Sequence, residues 1–382
     1  MLKVLVTFGT RPEAIKLAPV ILEMQRRANI RPVVCVTGQH RQMLDQVLTL
    51  FDIKPDYDMK VMETNQRLGD LTARVVQSFT AVLDEAKPDW ALVQGDTTSA
   101  MAASLAAFYQ KVPVGHVEAG LRTGNRYSPF PEEINRRLVS VVTTYHFAPT
   151  VTARDALLRE GTDPATVFLT GNTIVDAVRW ITTRAGVRAQ GLVAPGNRLL
   201  LVTAHRRENF GEPLRNICHG LKALVQYHHD VEIVYPVHLN PNVQGPVREI
   251  LGNVERVHLL DPLPYDEFAS LLAQAYLILT DSGGVQEEAT ALGKPVLVMR
   301  QETERPEAVT AGNAKVIGTD KDTVVAEAGR LLDRPDIRDG MAIPHDVFGD
   351  GQAARRIVDA LMEKASARPG AAHVQGRDSG TQ

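Results

Sequence analysis

Cysteine is nearly absent. Cys35 and Cys218 are the two in 382 residues, neither spaced for a metal or redox pair, and both fall in apolar stretches, which reads as buried thiols in a reducing compartment. An excess of one charge is lacking too: 42 basic residues face 45 acidic ones, a net −3, so no global field draws nucleic acid or an anionic membrane, and any anion site must be local. No apolar run approaches the roughly 20 residues needed to cross a bilayer. The opening run Leu2 to Phe8 is too short for a signal peptide. These absences predict a soluble cytoplasmic protein with neither nucleic-acid nor membrane partners. A Gly-x-Gly-x-x-Gly turn is missing after the first apolar run, as are His-Glu-x-x-His and cysteine-pair spacings, so neither a nicotinamide cofactor nor a metal is expected.

What is present is an ordinary globular mixture, 44% hydrophobic and 23% charged. The chain is too long for one core at roughly 100 to 200 residues per domain. Short apolar runs (Lys3 to Phe8, Pro32 to Thr37, Trp90 to Gln94, Val112 to Val117, His146 to Ala148, Val167 to Leu169) alternate with segments of helical period. That alternation predicts an α/β fold with parallel sheets. It lapses in the Gly- and Pro-containing stretch 186–197 and restarts at Leu199 to Thr203, Val231 to Pro236, Val257 to Leu260 and Tyr276 to Thr280. The expected organisation is two Rossmann-like doubly wound lobes, 1–185 and 198–352, with the ligand site in the cleft between them. A helix over 353–365 and a disordered tail over 366–382 complete the chain.

The sharpest chemical signal is Asp281-Ser-Gly-Gly-Val-Gln-Glu-Glu288 after an apolar run. A strand turning through Ser282, Gly283 and Gly284 into a helix aims free N–H groups and a positive dipole end at one point, a seat for a diphosphate. The two carboxylates one turn further, Glu287 and Glu288, can hold ribose hydroxyls. Gly9-Thr-Arg-Pro-Glu13 opens a second helix with Arg11 and Lys16 beside its start, although alone such a segment reads as a capped surface helix. Gln94-Gly-Asp-Thr-Thr98 and His116-Val-Glu-Ala-Gly120 place Asp96 and Glu118 at strand ends, and a Pro-rich loop delivers Glu132 and Glu133 to a first helical turn. Each acid alone reads as a helix cap or dipole partner. Together they suit proton transfer beside a sugar nucleotide, and crowding predicts that their pKa values separate. His205 follows the strand Leu199 to Thr203, His238 closes the next strand, and Arg305 in Glu304-Arg-Pro-Glu307 suits a phosphate clamp.

These segments, with Gln39-His-Arg-Gln-Met-Leu44, Pro131-Glu-Glu133 and Thr203-Ala-His-Arg-Arg-Glu208, resemble the bacterial non-hydrolysing UDP-N-acetylglucosamine (UDP-GlcNAc) 2-epimerases over Lys3 to Arg356. The resemblance implies a GT-B type fold, a homodimer, and interconversion of UDP-GlcNAc with UDP-N-acetylmannosamine (UDP-ManNAc) for cell-envelope polysaccharide. It matches Asp96, Glu118, Glu132 and His205 to catalytic positions. Arg11, Lys16, Ser282, Glu288 and Arg305 match contacts to UDP, and Phe268 a residue beside the uracil. It also implies a second, activating UDP-GlcNAc at Gln39, Gln42, Gln66, Glu132, Arg206 and His238, and departs from relatives at Asn65 and Leu263. The 353–365 helix is expected to pack back on the first lobe.

C2–H of this sugar is not next to a carbonyl, so loss of UDP must precede or accompany its removal. Anti elimination to 2-acetamidoglucal and syn re-addition would invert C2, with the departing diphosphate held by Arg11, Lys16, Arg305, the Ser282 helix end and protonated His205. Which acid removes the proton is left open. Rival readings are a hydrolysing epimerase that releases ManNAc, a GT-B glycosyltransferase, and a UDP-sugar sensor.

Overall fold

A computed structural model describes residues 1–38, 41–63, 66–184 and 191–366. In the first half, strands β1 (Leu2–Phe8), β2 (Ile30–Val36), β3 (Tyr57–Asp58), β4 (Trp90–Gln94), β5 (Val114–Val117), β6 (Tyr145–Ala148) and β7 (Val167–Leu169) form one sheet in the order β3-β2-β1-β4-β5-β6-β7. In the second, β8 (Arg198–Thr203), β9 (Val231–Pro236), β10 (Val257–Leu260), β11 (Leu277–Thr280), β12 (Val296–Val298) and β13 (Ala314–Val316) order as β10-β9-β8-β11-β12-β13. Neighbouring strands pair in parallel. Central strands such as Val4-Leu5-Val6 and Leu200-Leu201-Val202 are fully buried, as helices on both faces of a parallel sheet require.

Both sheets reverse their winding beside the first strand of the lobe, between β1 and β4 and between β8 and β11. The crevice at the carboxyl ends of such a pair is where open α/β sheets bind ligands. Helix Thr173–Arg184 of the first half packs on helices Tyr265–Gln274 and Gly283–Ala291 of the second. One apolar core, including Ile174, Val178, Tyr265 and Ala269, runs through that junction.

Helix Ala353–Ser366 lies against helices Arg11–Gln25 and Thr173–Arg184 of the first lobe. Asp176 accepts from Ala354 N at 2.9 Å and Ala353 N at 3.3 Å, satisfying two of the amides that a helix start leaves open. The linker read over 186–197 lies partly outside the described residues, and of the tail 366–382 only Ser366 falls within them. Strands β3 and β13 and helices Thr173–Arg184 and Lys321–Asp333 are additions to the sequence reading. The strands are two and three residues long and partly polar, too short for a periodicity to register.

Candidate active site

The first wall of the cleft is built on helix Arg11–Gln25. Thr10 caps it, and Glu13 reaches back to accept from Gly9 N at 2.8 Å and Thr10 N at 2.7 Å, a reciprocal capping box. The other Glu13 oxygen accepts from Thr97 Oγ1 at 2.6 Å, tying this helix to the Asp96 loop. Burial nevertheless pushes the Glu13 carboxyl up. Lys16, one turn on, donates to Glu118, which two further groups also serve: Gln94 Nε2 and, at 3.1 Å, Asn172 Nδ2.

Glu118 sits just past β5 at φ +65°, a left-handed conformation that a non-glycine residue adopts at a cost of order 1 kcal/mol or more. Gly120 follows at φ +91°, where a Cβ would lie 2.2 Å from Ala153 O, so only glycine passes there. Burial alone would raise the Glu118 carboxyl. The charges of Lys16 and Arg305, with hydrogen bonds from Lys16 and Asn172, outweigh it and hold the group below the ordinary range. Lys16 in turn is pulled down by burial, but Glu118 and Glu287 carry it above its usual value.

Asp96 takes Arg136 through Nη2 at 2.7 Å and Nε at 2.9 Å. The adjacent glutamates divide: Glu133 is fully buried and accepts from Thr123 N at 3.0 Å and Arg136 Nη1 at 3.3 Å, while Glu132 Oε2 is buried without a hydrogen bond. It is cations, not neighbouring carboxylates, that displace Glu118. Beneath them, His116 Nε2–H donates to Gly95 O at 2.8 Å, and burial drops this imidazole to about 3, which keeps it neutral.

The second wall begins at β8 and β11. Asp281, fully buried, accepts from His205 N and Arg206 N at 2.8 Å each and from Asn209 Nδ2 at 3.0 Å, fixing the turn that carries His205. The His205 ring lies 3.5 Å from Asp281 Oδ1 and stacks on His238 at 5.6 Å. Burial lowers its pKa, and Arg206 and His238 add to this against Asp281, which works against the imidazolium considered from sequence. Helix Gly283–Ala291 starts after Ser282, whose side chain caps nothing. A Cβ on Gly283 would stand 3.5 Å from the Arg305 guanidinium. Arg305 Nε donates to Glu287 Oε1 at 2.5 Å. Tyr265 OH donates to Glu288 Oε1 at 2.5 Å, yet burial, with Glu287 alongside, pushes the Glu288 carboxyl up to about 7.

The lobes meet through these groups. Lys16 Nζ lies 3.9 Å from Glu287 Oε2, Arg11 feels the charge of Glu288, and Glu304 is held low, against burial, by Arg206, Arg305, Arg300 and Arg136. Arg11, Lys16, Glu118, Glu288 and Arg305 thus share one electrostatic cluster, and half-buried Phe268 lies one helical turn beyond Tyr265. Of the activator set, Arg206 and His238 flank His205. Gln66 is instead engaged by Arg74 Nη2 at 2.6 Å and Glu63 N at 3.3 Å. Gln39 and Asn65 lie outside the described residues, as does the side chain of Gln42. The sequence reading gave no role to Gln94, Arg136 or Asn172, and it set Glu287 beside Glu288 as a ribose-binding carboxylate. Gln94 and Arg136 lay inside segments already singled out, whereas Asn172 carried no local signal.

Two doubly wound parallel lobes with a cation- and acid-lined cleft between them define a GT-B type protein. The model of the UDP-N-acetylglucosamine 2-epimerase family matches residues 22–362. The chain is 52% identical over 369 residues to the UDP-N-acetylglucosamine 2-epimerase of Escherichia coli O157:H7, covering 94% of this chain and 98% of that protein. A crystal structure of the Neisseria meningitidis enzyme bound to UDP-GlcNAc is 48% identical, with a TM-score of 0.90 over 95% of this chain and 100% of that one. The Methanocaldococcus jannaschii enzyme in complex with UDP-GlcNAc and UDP is 34% identical with a TM-score of 0.80, over 95% of this chain and 100% of that one. The chain belongs to the UDP-N-acetylglucosamine 2-epimerase family.

Proposed function

We propose that the protein is a non-hydrolysing UDP-GlcNAc 2-epimerase that interconverts UDP-GlcNAc and UDP-ManNAc for cell-envelope polysaccharide synthesis. The observation that carries this reading is the buried Glu118 carboxylate at the meeting point of Lys16 and Arg305, one cation from each lobe. UDP lies along the second lobe, its diphosphate at the start of helix Gly283–Ala291 and its ribose hydroxyls on Glu288, with the uracil beside Phe268. Arg11, Lys16 and Arg305 stabilise the charge that builds as the C1–O bond breaks. A well-placed donor of this kind contributes about 3 kcal/mol to a transition state.

As that bond breaks, the ring gains oxocarbenium character and C2–H becomes acidic. A carboxylate takes the proton, the C2–H electron pair becomes the C1–C2 double bond of 2-acetamidoglucal, and the C1–O pair leaves with UDP. Re-addition of UDP, with a proton delivered to the opposite face of C2, restores the bond with inverted configuration. Asp96, Glu118 and Glu132 are the proton carriers, and His205 donates to the leaving oxygen.

Incubation with UDP-GlcNAc in deuterated water tests the reading. Deuterium at C2 of a UDP-ManNAc product is expected. Free ManNAc would indicate a hydrolase, and unchanged sugar a transferase or sensor. Run across UDP-GlcNAc concentrations, the same assay reads the activator site at Arg206 and His238: a sigmoidal rate supports it and a hyperbolic one removes it. The homodimer has a candidate face in Phe108, Tyr109, Leu138 and Val141, exposed on the packed helices Thr98–Tyr109 and Glu132–Val142. Val141, 82% exposed, is apolar surface that a second copy would cover. Sedimentation of Val141→Glu as a monomer supports this face, and an intact dimer rejects it.

A further inference from the structure

Glu287 has no part in the scheme above, yet it stands at the centre of the cluster. Its side chain is 2% exposed, Oε1 accepts from Arg305 at 2.5 Å, and Oε2, 3.9 Å from Lys16 Nζ, is buried without a hydrogen bond. Lys16 donates instead to Glu118, which also feels Arg305. Two cations and two carboxylates therefore close on one another across the cleft, with one of each sign from either lobe. A carboxylate that accepts from an ammonium group is a poor base, because its charge is already satisfied.

We propose that Glu287 is a positioning residue that holds Arg305 and shares Lys16, so that an entering diphosphate draws Lys16 off Glu118 and leaves it a free base. The inference rests on the proposed epimerase reaction. With Glu287 ionised, the two carboxylates balance the two cations, and the negative diphosphate displaces Glu118 as the partner of Lys16. With Glu287 neutral, one positive charge remains in excess, and it stays on Glu118. The same excess attracts the diphosphate. Binding and turnover must then move in opposite directions when Glu287 loses its charge.

Glu287→Gln is nearly isosteric, and its amide oxygen can still accept from Arg305 Nε, so packing is conserved. UDP is expected to bind about threefold or more tightly, while kcat falls about tenfold or more. A merely structural role would weaken both. In a Glu118→Gln background the same change should cost no further turnover, since its effect passes through Glu118. Weaker UDP binding, an unchanged kcat, or a full additional loss in the double variant each overturns the proposal. Wild-type protein that exchanges no C2 hydrogen sinks the epimerase reading and this inference with it. A working epimerase whose Glu287→Gln variant loses UDP affinity sinks the inference alone.

Discussion

Glu118 and Glu288 face each other's lobes, both buried at 9% and 5% exposed, and are driven in opposite directions. Glu118 is held below the ordinary carboxylate range, because Lys16 and Arg305 overcome burial. Glu288 is pushed up to about 7, because burial, aided by the neighbouring Glu287, overcomes the hydrogen bond from Tyr265 and the charges of Lys16 and Arg11. Desolvation is the leading cause in both, so depth does not decide protonation. The number and nearness of cations do. The first wall therefore presents an ionised acid and the second one poised near neutrality.

Changing the first acid should have the largest effect. Glu118→Gln is expected to bind UDP nearly as wild type while kcat drops more than about a hundredfold, since the isostere keeps the site's shape but accepts no proton. Steady-state kinetics alongside UDP calorimetry checks this, and a wild-type rate would remove Glu118 from the mechanism. Glu288→Gln acts on binding and on stability. Charge-assisted bonds to the ribose become neutral ones, a loss of about tenfold in UDP affinity.

Its effect on stability has a definite sign. The folded chain holds the Glu288 proton more tightly than the ordinary value of 4.5, with a pKa of about 7. Its contribution is therefore fully present below pH 4.5, is lost as pH rises towards 7, and changes no further above that. Thermal melts of the ligand-free protein should show this decline, and Glu288→Gln should flatten it. An unchanged slope in the variant would break the contrast between the two acids.

Much of this was legible in the sequence because local physics writes it there. The alternation of apolar runs announced both sheets, and Pro12, or Ser282 with Gly283, marked helix starts without any tertiary information. Asp96 and Glu118 showed themselves by standing just past apolar runs. What was hidden depends on distance along the chain. Asn172 reaches Glu118 from 54 residues away, and Arg136 reaches Asp96 from 40, so neither pairing has a local signature. Glu132 and Glu133 are equivalent by spacing. Only the packed loop at Thr123 shows that Glu133 is consumed by backbone amides while Glu132 keeps an oxygen free.

A crystal structure with bound UDP tests most directly whether cations pass from the acids to the nucleotide. The account predicts the diphosphate at Ser282 to Gly284 in contact with Lys16 and Arg305, with Lys16 withdrawn from Glu118 and Arg305 still on Glu287. UDP seated away from these residues, or Lys16 still donating to Glu118 beside a bound diphosphate, would contradict it.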